Sequence, residues 1–365
     1  MGNRNQTDLL LLAPGVASVP AVGGANYGRQ QNYSISGSRA NGIQFLIDNT
    51  NLATYNGHST GSAATGATLG LEALGDYQTL TNTYSAQFGG NGGVVNAASK
   101  SGTNSFHGSL YFYLANSAML SARDTFDTFV RQGDTIAMAP PSHKGLFGTS
   151  LGGPIKRNKA FFFVNYEGIR QGNEAEGILQ GVPDANAHVG LLPCSTANPK
   201  GTTVTYACDR TSVDGTPGSY AFVGLPASIA PIMALFPVGQ STSAGVGNFV
   251  SISPKSNQDD YLMTRFDYTI SPKDTLFVRY VRDTALALTS QPNGSTVANY
   301  WGEADTTRNH FVTVEEDHVI SPTFINLSRV SFLRPYENAE TTTPPVPALN
   351  NVNTPGASQN TLALG

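Results

Sequence analysis

The chain has 365 residues, enough for two domains of ordinary size, and its formal net charge is −4. Basic residues form no cluster larger than Lys156-Arg157-Asn158-Lys159, so the charge pattern gives no indication of a nucleic-acid partner. Charged residues make up only 13% of the chain, whereas glycine contributes 39 residues, phenylalanine 18 and tyrosine 15, a composition that is unusual for a soluble enzyme.

The first part of the chain, up to about residue 103, has the short mixed elements of a small α+β domain. A polar residue precedes the leucine run at 8–13, and Pro14-Gly15 follows it, which predicts a short helix with a defined end. Alternating apolar residues predict further elements in chain order: strands at 33–37 and 43–49, a short helix at 69–75, and strands at 76–80 and 93–100. The second of these strands ends in Asp48-Asn49, a pair that tolerates the left-handed conformation of a turn.

From about residue 104, aromatic strands alternate with long polar stretches. Seven segments of about ten residues are predicted as strands: 105–115, 144–154, 160–170, 259–269, 275–284, 308–318 and 323–333. About ten residues is the length that a tilted strand needs to cross a bilayer. In three of the segments the residues alternate, with an apolar set on one face (Phe162, Val164, Tyr166; Leu262, Phe266, Tyr268; Leu276, Val278, Tyr280) and a set with more polar or charged residues on the other (Phe163, Asn165, Glu167; Met263, Arg265, Asp267; Thr275, Phe277, Arg279). This pattern predicts a wet lumen on one side of the strands and lipid on the other.

The connections between these strands are sorted by length. Short connections at 155–159, 271–274 and 320–322 alternate with long ones at 116–143, 171–258 and 285–307. Outer-membrane barrels have short periplasmic turns and long extracellular loops, so the sorting favours a transmembrane barrel. Single-chain barrels close with an even number of strands, and the start of the chain has no apolar secretory segment. We therefore expect the sequence to be an N-terminal-side piece of a longer protein.

Several motifs resemble the TonB-dependent outer-membrane receptors, in particular their Oar-like group. The similar segments are Asp8–Val16, Ser36–Asn41, Phe45–Asp48, Tyr84–Gly89, Gly92–Asn96, Lys100–Ser109, Gly148–Ile155 and Lys159–Gly168. The resemblance implies a plug domain at 1–103, followed at 104–365 by the N-terminal part of an antiparallel transmembrane β-barrel, an incomplete barrel with about seven of an expected 22 strands. Two departures are mild: Asn49 replaces a common glycine, and Gln87 replaces a common glutamate.

The resemblance also implies a function and partners. Such receptors sit in the bacterial outer membrane among its lipids and import a large substrate, such as a siderophore, an oligosaccharide or a peptide. TonB and its inner-membrane energising complex pull on the plug, which gates the barrel lumen. We expect substrate contacts from Tyr55, Asn56 and His58 in the plug loop at 50–68. No cofactor and no metal site is expected.

The two cysteines, Cys194 and Cys208, lie in a long polar stretch with no metal-ligand spacing around them. In an oxidising exterior they could close a small loop as a disulfide, and the alternative is a pair of free thiols.

Two alternative functions have some support in the sequence. Gly57-His58-Ser59-Thr60-Gly61 and Gly148-Thr149-Ser150-Leu151-Gly152 both match the G-x-S-x-G pattern of a serine hydrolase. Glycine is so frequent here that chance matches are expected, and neither serine is predicted on the strand-to-helix turn that the chemistry needs. A secreted β-rich adhesin or carbohydrate-binding surface protein without transport would instead place the strands on both sides of residue 104 in one soluble sandwich. We expect a protein that is not an enzyme.

Overall fold

The computed structural model describes most of the chain. The described residues are 6–19, 32–39, 42–52, 64–65, 69–81, 85, 88, 92–117, 129–131, 134–136, 142–198, 200–201, 203–234, 236–243, 245–289 and 302–342. Within these ranges, no helix has the length and apolar character needed to cross a membrane.

The described residues from 6 to 100 form a small unit, called here the N-terminal unit. Its elements are a 3-10 helix Gln6–Leu12, β1 Val16–Val19, β2 Asn32–Ile35, β3 Gln44–Ile47, β4 Thr50–Asn51, a 3-10 turn Leu71–Ala73, β5 Leu74–Leu80 and β6 Val94–Ser99. Strands β1 and β2 pair antiparallel, and a separate four-stranded sheet has the order β4-β3-β6-β5, with β3 parallel to β6.

The turn between β3 and β4 forms where the sequence predicts it. Asp48 and Asn49 both have positive φ, 46° and 57°, which their short polar side chains tolerate. The predicted helix at 69–75 is wrong beyond one 3-10 turn, because Leu74 is already extended and pairs with Ser99 in β6. Strands β1 and β4 were not predicted, and β4 has only two residues, too few for an alternation pattern.

The rest of the chain is mostly strand. Its elements are β7 His107–Asn116, β8 Phe129–Arg131, β9 Asp134–Ile136, β10 Ser142–Lys156, β11 Ala160–Pro183, α1 Ala185–His188, β12 Leu191–Pro193, α2 Cys194–Ala197, β13 Tyr220–Phe222, α3 Ala230–Met233, β14 Gln240–Ser243, β15 Val246–Ser271, β16 Asp274–Thr289, β17 Gly302–Ser321, β18 Phe324–Arg334 and β19 Glu337–Thr342.

Seven of these strands form an antiparallel meander, called here the main sheet. Its order is β18-β17-β16-β15-β11-β10-β7, and β14 and β19 pair with the outer ends of β15 and β17. Turns at 157–159, 272–273 and 322–323 join neighbouring strands at one end of the main sheet. The long connections leave from the opposite ends of the strands. Among the described strands β7 and β18 do not pair with each other, so the main sheet is open.

All seven predicted strands exist, but several are much longer than predicted. The segment predicted at 160–170 extends to Pro183, and the one predicted at 259–269 begins at Val246. Much of the predicted loop 171–258 is therefore strand, and its middle, 184–245, contains α1 to β14. Backbone pairing needs no apolar side chain, so a strand can continue through a segment whose sequence shows no regular apolar alternation.

The two faces of the main sheet differ as the alternation predicts. One face, called the inward face, holds fully buried residues such as Phe163, Arg279 and Thr313. The other carries an outward band of apolar and aromatic side chains: Leu110, Phe112, Leu114, Phe147, Leu151, Phe162, Val164, Tyr166, Leu262, Phe266, Tyr268, Leu276, Val278, Tyr280, Val312, Val314, Val330 and Phe332. Val330 in this band is 74% exposed. Such a band fits contact with lipid.

The outward band predicts how the sheet responds to a charge on its lipid side. We expect Val314→Arg in β17 to lower the free energy of unfolding in lipid vesicles by about 2–4 kcal/mol, because the guanidinium would sit in hydrocarbon. The matched control is Val213→Arg, at a 58% exposed position outside the main sheet, which should change it by less than about 0.5 kcal/mol. Denaturant titration of both variants measures this; equal effects would contradict the assignment of the outward band to lipid.

Candidate functional site

The candidate site is the interface between the N-terminal unit and the inward face of the main sheet. Its centre is one buried apolar cluster to which both bodies contribute: Ile47, Leu52, Leu69, Ala73, Leu74 and Ala97 from the N-terminal unit, and Leu146, Phe163, Ile169, Tyr261, Met263, Val281 and Phe311 from the main sheet. The expectation of a wet inward face is therefore wrong at these positions. The N-terminal unit excludes water there and packs against apolar side chains.

An ionic cluster crosses the same interface, called here the Asp48 cluster: Asp48, Ser99, Arg265, Arg279 and Thr313. The β3–β4 turn presents the Asp48 carboxylate to the guanidinium of Arg279, whose side chain is completely buried. A second guanidinium, that of Arg265, has its Nη1 atom 3.6 Å from Asp48 Oδ1. Isolated charges are costly to bury, so the carboxylate and the two guanidinium groups depend on one another.

Hydrogen bonds fix the geometry of the Asp48 cluster. Ser99 donates to the Asp48 carboxylate twice, from its backbone nitrogen at 2.9 Å and from its hydroxyl at 2.7 Å. Arg265 Nη1 lies 2.7 Å from the same hydroxyl, and Arg279 Nη2 donates to Thr313 Oγ1 at 2.9 Å. Bonds of this charge-assisted kind are stronger than neutral ones.

Arg265 is held from the main-sheet side as well. Its Nε and Nη2 atoms donate to Asp267 at 2.9 and 2.7 Å, and its guanidinium lies 4.2 Å from the centre of the Phe277 ring. The second carboxylate balances the second guanidinium, so the interface brings two positive and two negative groups together. The arginines are thus pre-oriented on the main sheet, and Asp48 is the group that the N-terminal unit adds.

A second polar contact involves Glu167 in β11. Its carboxylate is fully buried and accepts hydrogen bonds from the backbone nitrogens of Gly70 and Glu72, both at 3.0 Å. Gly70 has φ +95°, and a Cβ atom there would lie 2.6 Å from the Tyr261 ring. Only glycine allows this approach without displacing the ring. Glu167 thereby accepts from two backbone donors, one just before the 3-10 turn Leu71–Ala73 and one within it.

Hydroxyl groups add further contacts on β15 and β17 and extend the interface to β18. Thr50 Oγ1 lies 3.2 Å from Thr313 Oγ1 and 3.1 Å from Ser331 Oγ. The Ala64 backbone nitrogen donates to Thr307 Oγ1 at 2.9 Å. Thr65 Oγ1 donates to Asp259 Oδ2 at 2.6 Å. The N-terminal unit therefore contacts β11, β15, β16, β17 and β18, and many of these contacts are hydrogen bonds that water could replace.

Tyr77 connects this interface to the interior of the N-terminal unit. It packs against both the shared apolar cluster and the unit's own core of Leu10, Tyr33, Ile35, Ile43, Phe45 and Val95. Burial raises the pKa of the Tyr77 phenol above its usual range, and the neighbouring Tyr33 raises it further. The phenol is therefore uncharged at neutral pH and acts here as a packing group.

The predicted substrate contacts Tyr55, Asn56 and His58 lie outside the described residues, as does Ser59. In the sequence they lie between Thr50 and Ala64, two residues that form hydrogen bonds with the main sheet. Ser150, the other serine of a G-x-S-x-G pattern, lies within strand β10 instead of on a strand-to-helix turn. Its hydroxyl oxygen lies 2.8 Å from that of Ser109 in β7.

Cys194 and Cys208 are joined by a disulfide, with their Cα atoms 5.8 Å apart. The loop they close is also held by Asn198, which donates to the Tyr206 carbonyl at 3.0 Å and accepts from its nitrogen at 2.7 Å. Nearby, burial raises the pKa of the Tyr220 phenol, and the negative charges of Asp214 and Asp184 raise it further. In the described part of the chain, no group of three or more His, Cys, Asp or Glu side chains is arranged to hold a metal ion.

The sequence placed Arg265, Arg279 and Glu167 on one face of their strands, and that prediction is confirmed. It did not identify them as a site. Asp48 was predicted only as part of a turn and of a family-like segment, and Ser99, Thr50 and Gly70 were not predicted to have a role. Charged residues that face inward on several predicted strands were the one available indication that a partner body covers them.

Comparisons with known proteins agree with this architecture. Residues 98–364 match the family model described as an outer membrane beta barrel domain. The TonB-dependent transporter Oar of Myxococcus xanthus is 28% identical to the chain over 222 residues, which make up 59% of this chain and 18% of that protein. The chain thus spans less than a fifth of this relative.

Two solved structures align with most of the chain. A ferric enterobactin receptor variant from Pseudomonas aeruginosa, in complex with enterobactin, has a TM-score of 0.51 and 13% identity, covering 92% of this chain and 39% of that one. The outer membrane transporter YddB from Escherichia coli has a TM-score of 0.49 and 16% identity, covering 90% and 36%.

The Asp48 cluster predicts a specific cost of removing one charge. Asp48→Asn should destabilise the docked state by about 3–5 kcal/mol, because it leaves the buried Arg279 without a full counter-charge. The control is Asp76→Asn, an exposed residue of β5 whose carboxylate accepts from the nitrogen of Tyr77, with an expected change within about 0.5 kcal/mol. Denaturant titration followed by proteolysis of the N-terminal unit measures both. If the N-terminal unit is protected from the protease equally well in the two variants, a structural role for the charge is contradicted.

Proposed function

The chain belongs to the outer membrane β-barrel domain family, which places it in the bacterial outer membrane, and from this premise we propose that it acts in TonB-dependent import. The cargo would be a large substrate of the siderophore, oligosaccharide or peptide class. Support comes from the similarity to the transporter Oar. The observation that carries the proposal is the docking of the N-terminal unit on the inward face through the Asp48 cluster.

In this proposal residues 1–103 are the plug, and 104–365 supply the first strands of a barrel of about 22 strands. A barrel of that size encloses a lumen wide enough to leak, so the membrane barrier requires a stopper. The same stopper must move when cargo enters. The N-terminal unit has the position expected of such a stopper, because its contacts reach five strands of the main sheet.

The chemistry of the interface suits a stopper that moves only under load. Its hydrogen bonds can be exchanged for bonds to water once the lumen floods, so opening does not leave them permanently unmade. The charged groups of the Asp48 cluster cost much more to separate while they remain dry. Spontaneous opening is then rare. The pull of TonB, driven by its inner-membrane energising complex, would supply the work.

Substrate recognition is proposed for the loop at 50–68, through Tyr55, Asn56 and His58. The support is the position of its ends. Thr50 at one end contacts Thr313 and Ser331, and Ala64 and Thr65 near the other contact Thr307 and Asp259. A ligand that pulls this loop would therefore act directly on hydrogen bonds between the N-terminal unit and the barrel wall.

Locking the interface with a disulfide tests the gating. The pair Thr50→Cys and Ser331→Cys replaces hydroxyls 3.1 Å apart, one on each body. Cells producing this variant would be offered labelled siderophore, oligosaccharide and peptide probes. We expect TonB-dependent uptake of at least one probe by the parent, loss of most of that uptake in the oxidised variant, and recovery after reduction.

The control pair is Ser109→Cys and Ser150→Cys, whose hydroxyls are 2.8 Å apart but both lie in the main sheet. Oxidising it should leave uptake unchanged, since the bond does not join the two bodies. Uptake that continues through the locked Thr50–Ser331 variant would contradict gating by the N-terminal unit. Uptake of all three probes no higher than in cells lacking the protein would contradict import of these classes.

A further inference from the structure

Two buried carboxylates lie side by side on the inward face of the main sheet, toward the long loops. Asp259 in β15 is fully buried, and Asp283 in β16 is 4% exposed. They lie diagonally across neighbouring strands, because Asp283 is the direct partner of Tyr261, two residues beyond Asp259. The two carboxyl groups are within hydrogen-bonding distance of each other. Two negative charges at this distance and away from water repel each other strongly.

Neither carboxylate is balanced by a basic side chain within the part of the chain that the structure describes. No lysine, arginine or histidine there forms an ion pair with Asp259 or Asp283. Asp260, the next residue of β15, points to the opposite face and is paired with Arg170 at 2.8 Å. Buried carboxylates in proteins are paired or coordinate a metal, because an isolated charge is costly to bury. The pair therefore requires a counter-charge.

Hydrogen bonds leave most of the carboxylate oxygens of the pair unsatisfied. Asp259 Oδ2 accepts from the Thr65 hydroxyl at 2.6 Å. The amide nitrogen of Asn309 lies 3.5 Å from Asp283 Oδ2, which is too long for a strong bond. The Oδ1 atom of each aspartate is buried and has no hydrogen-bond partner among the described residues. Two such oxygens, one from each carboxylate, indicate a positively charged ligand between them.

The N-terminal unit closes this place from the lumen. Ala64 lies in one buried cluster with Ala285, the direct cross-strand partner of Asp259. The backbone nitrogen of Ala64 donates to Thr307 Oγ1 at 2.9 Å, and Thr65 brings its hydroxyl to Asp259. The carboxylate pair is therefore enclosed between the main sheet and residues 64 and 65.

We propose that Asp259 and Asp283 bind one calcium ion at this interface. The neighbouring side chains, Thr65 and Asn309, supply neutral oxygens, and water completes the shell. A site built from oxygens suits a hard cation and not zinc or copper. Calcium accepts about six to eight oxygens in irregular geometry, which fits donors from the N-terminal unit and three strands, whereas magnesium requires a near-ideal octahedron.

A proton shared between the two carboxyl groups is the rival occupant. One shared proton would leave one negative charge buried, whereas one calcium ion balances both carboxylates. Calcium also links the two bodies, because the segment that ends the loop at 50–68 covers the pair. Without the ion, the carboxylates repel each other and attract water, which loosens the contacts of residues 64 and 65. This link needs only the docked interface, whatever the cargo.

Calcium binding can be measured by titration calorimetry on the full protein as its cell makes it, extracted in mild detergent and stripped of metal with EDTA. We expect the parent to bind one more calcium ion per chain than the double variant Asp259→Asn and Asp283→Asn. The dissociation constant should be on the order of 10⁻⁴ M, as in extracellular calcium modules. Each single variant should weaken this binding at least about tenfold, because one of two charged ligands is lost.

The control is Asp260→Asn, which removes the adjacent carboxylate on the opposite face and should leave the number of bound calcium ions unchanged. The asparagine amide at 259 or 283 can donate to the remaining carboxylate, so the single variants should fold. Equal calcium binding by the parent and the double variant, or by the parent and both single variants if the double variant misfolds, would overturn the proposal.

Amide hydrogen exchange at Ala64 supplies a second readout, because its nitrogen donates to Thr307 across the interface. Exchange at Ala64 should become at least about tenfold faster when EDTA removes calcium from the parent, and EDTA should have no effect in the double variant. A parent that binds no calcium at neutral pH, with Ala64 protected in EDTA, would also overturn the proposal, since the occupant of the pair would then be a proton.

Discussion

The buried contact between Arg279 and Asp48 is the constraint on which the arrangement of the two bodies depends. Arg279 is completely buried on the inward face of a strand, where an unpaired guanidinium would be very costly. Its counter-charge comes from a turn of the N-terminal unit 231 positions earlier in the sequence. A buried ion pair is weak evidence for added stability, but separating its partners in a dry interface is expensive. The pair therefore specifies where the N-terminal unit docks.

The same constraint explains why the main sheet has two such different faces. Its outward band can be uniformly apolar because it faces a uniform solvent, the hydrocarbon of the membrane. Its inward face must match one particular body, so it mixes a hydrophobic cluster with Glu167, Arg265 and Arg279, each opposite a specific group. Gly70 shows how close this match is, since a single added carbon would collide with Tyr261.

Much of the fold follows from the sequence, whereas the site does not. Aromatic-rich segments of about ten residues predicted all seven strands of the main sheet, three of them with a clear two-residue alternation, and the Asp48-Asn49 turn was predicted from residue type. Strand lengths were underestimated where the sequence shows no regular apolar alternation, as in β15 before Asp259. The pairing of Asp48 with Arg279 depends on how two separately folded bodies meet. No local pattern encodes that meeting, and the sequence could indicate only that the inward charges of the strands needed a partner.

Amide hydrogen exchange at Gly70 and Glu72 tests the docked arrangement most directly. Their backbone nitrogens donate to Glu167, a residue of the other body, at 3.0 Å. The account predicts strong protection of both amides in the protein embedded in lipid, and loss of that protection in Glu167→Ala while the amides of β6 remain protected. Unprotected exchange at Gly70 and Glu72 in the unaltered protein would contradict it, because the N-terminal unit would then not rest on the barrel wall.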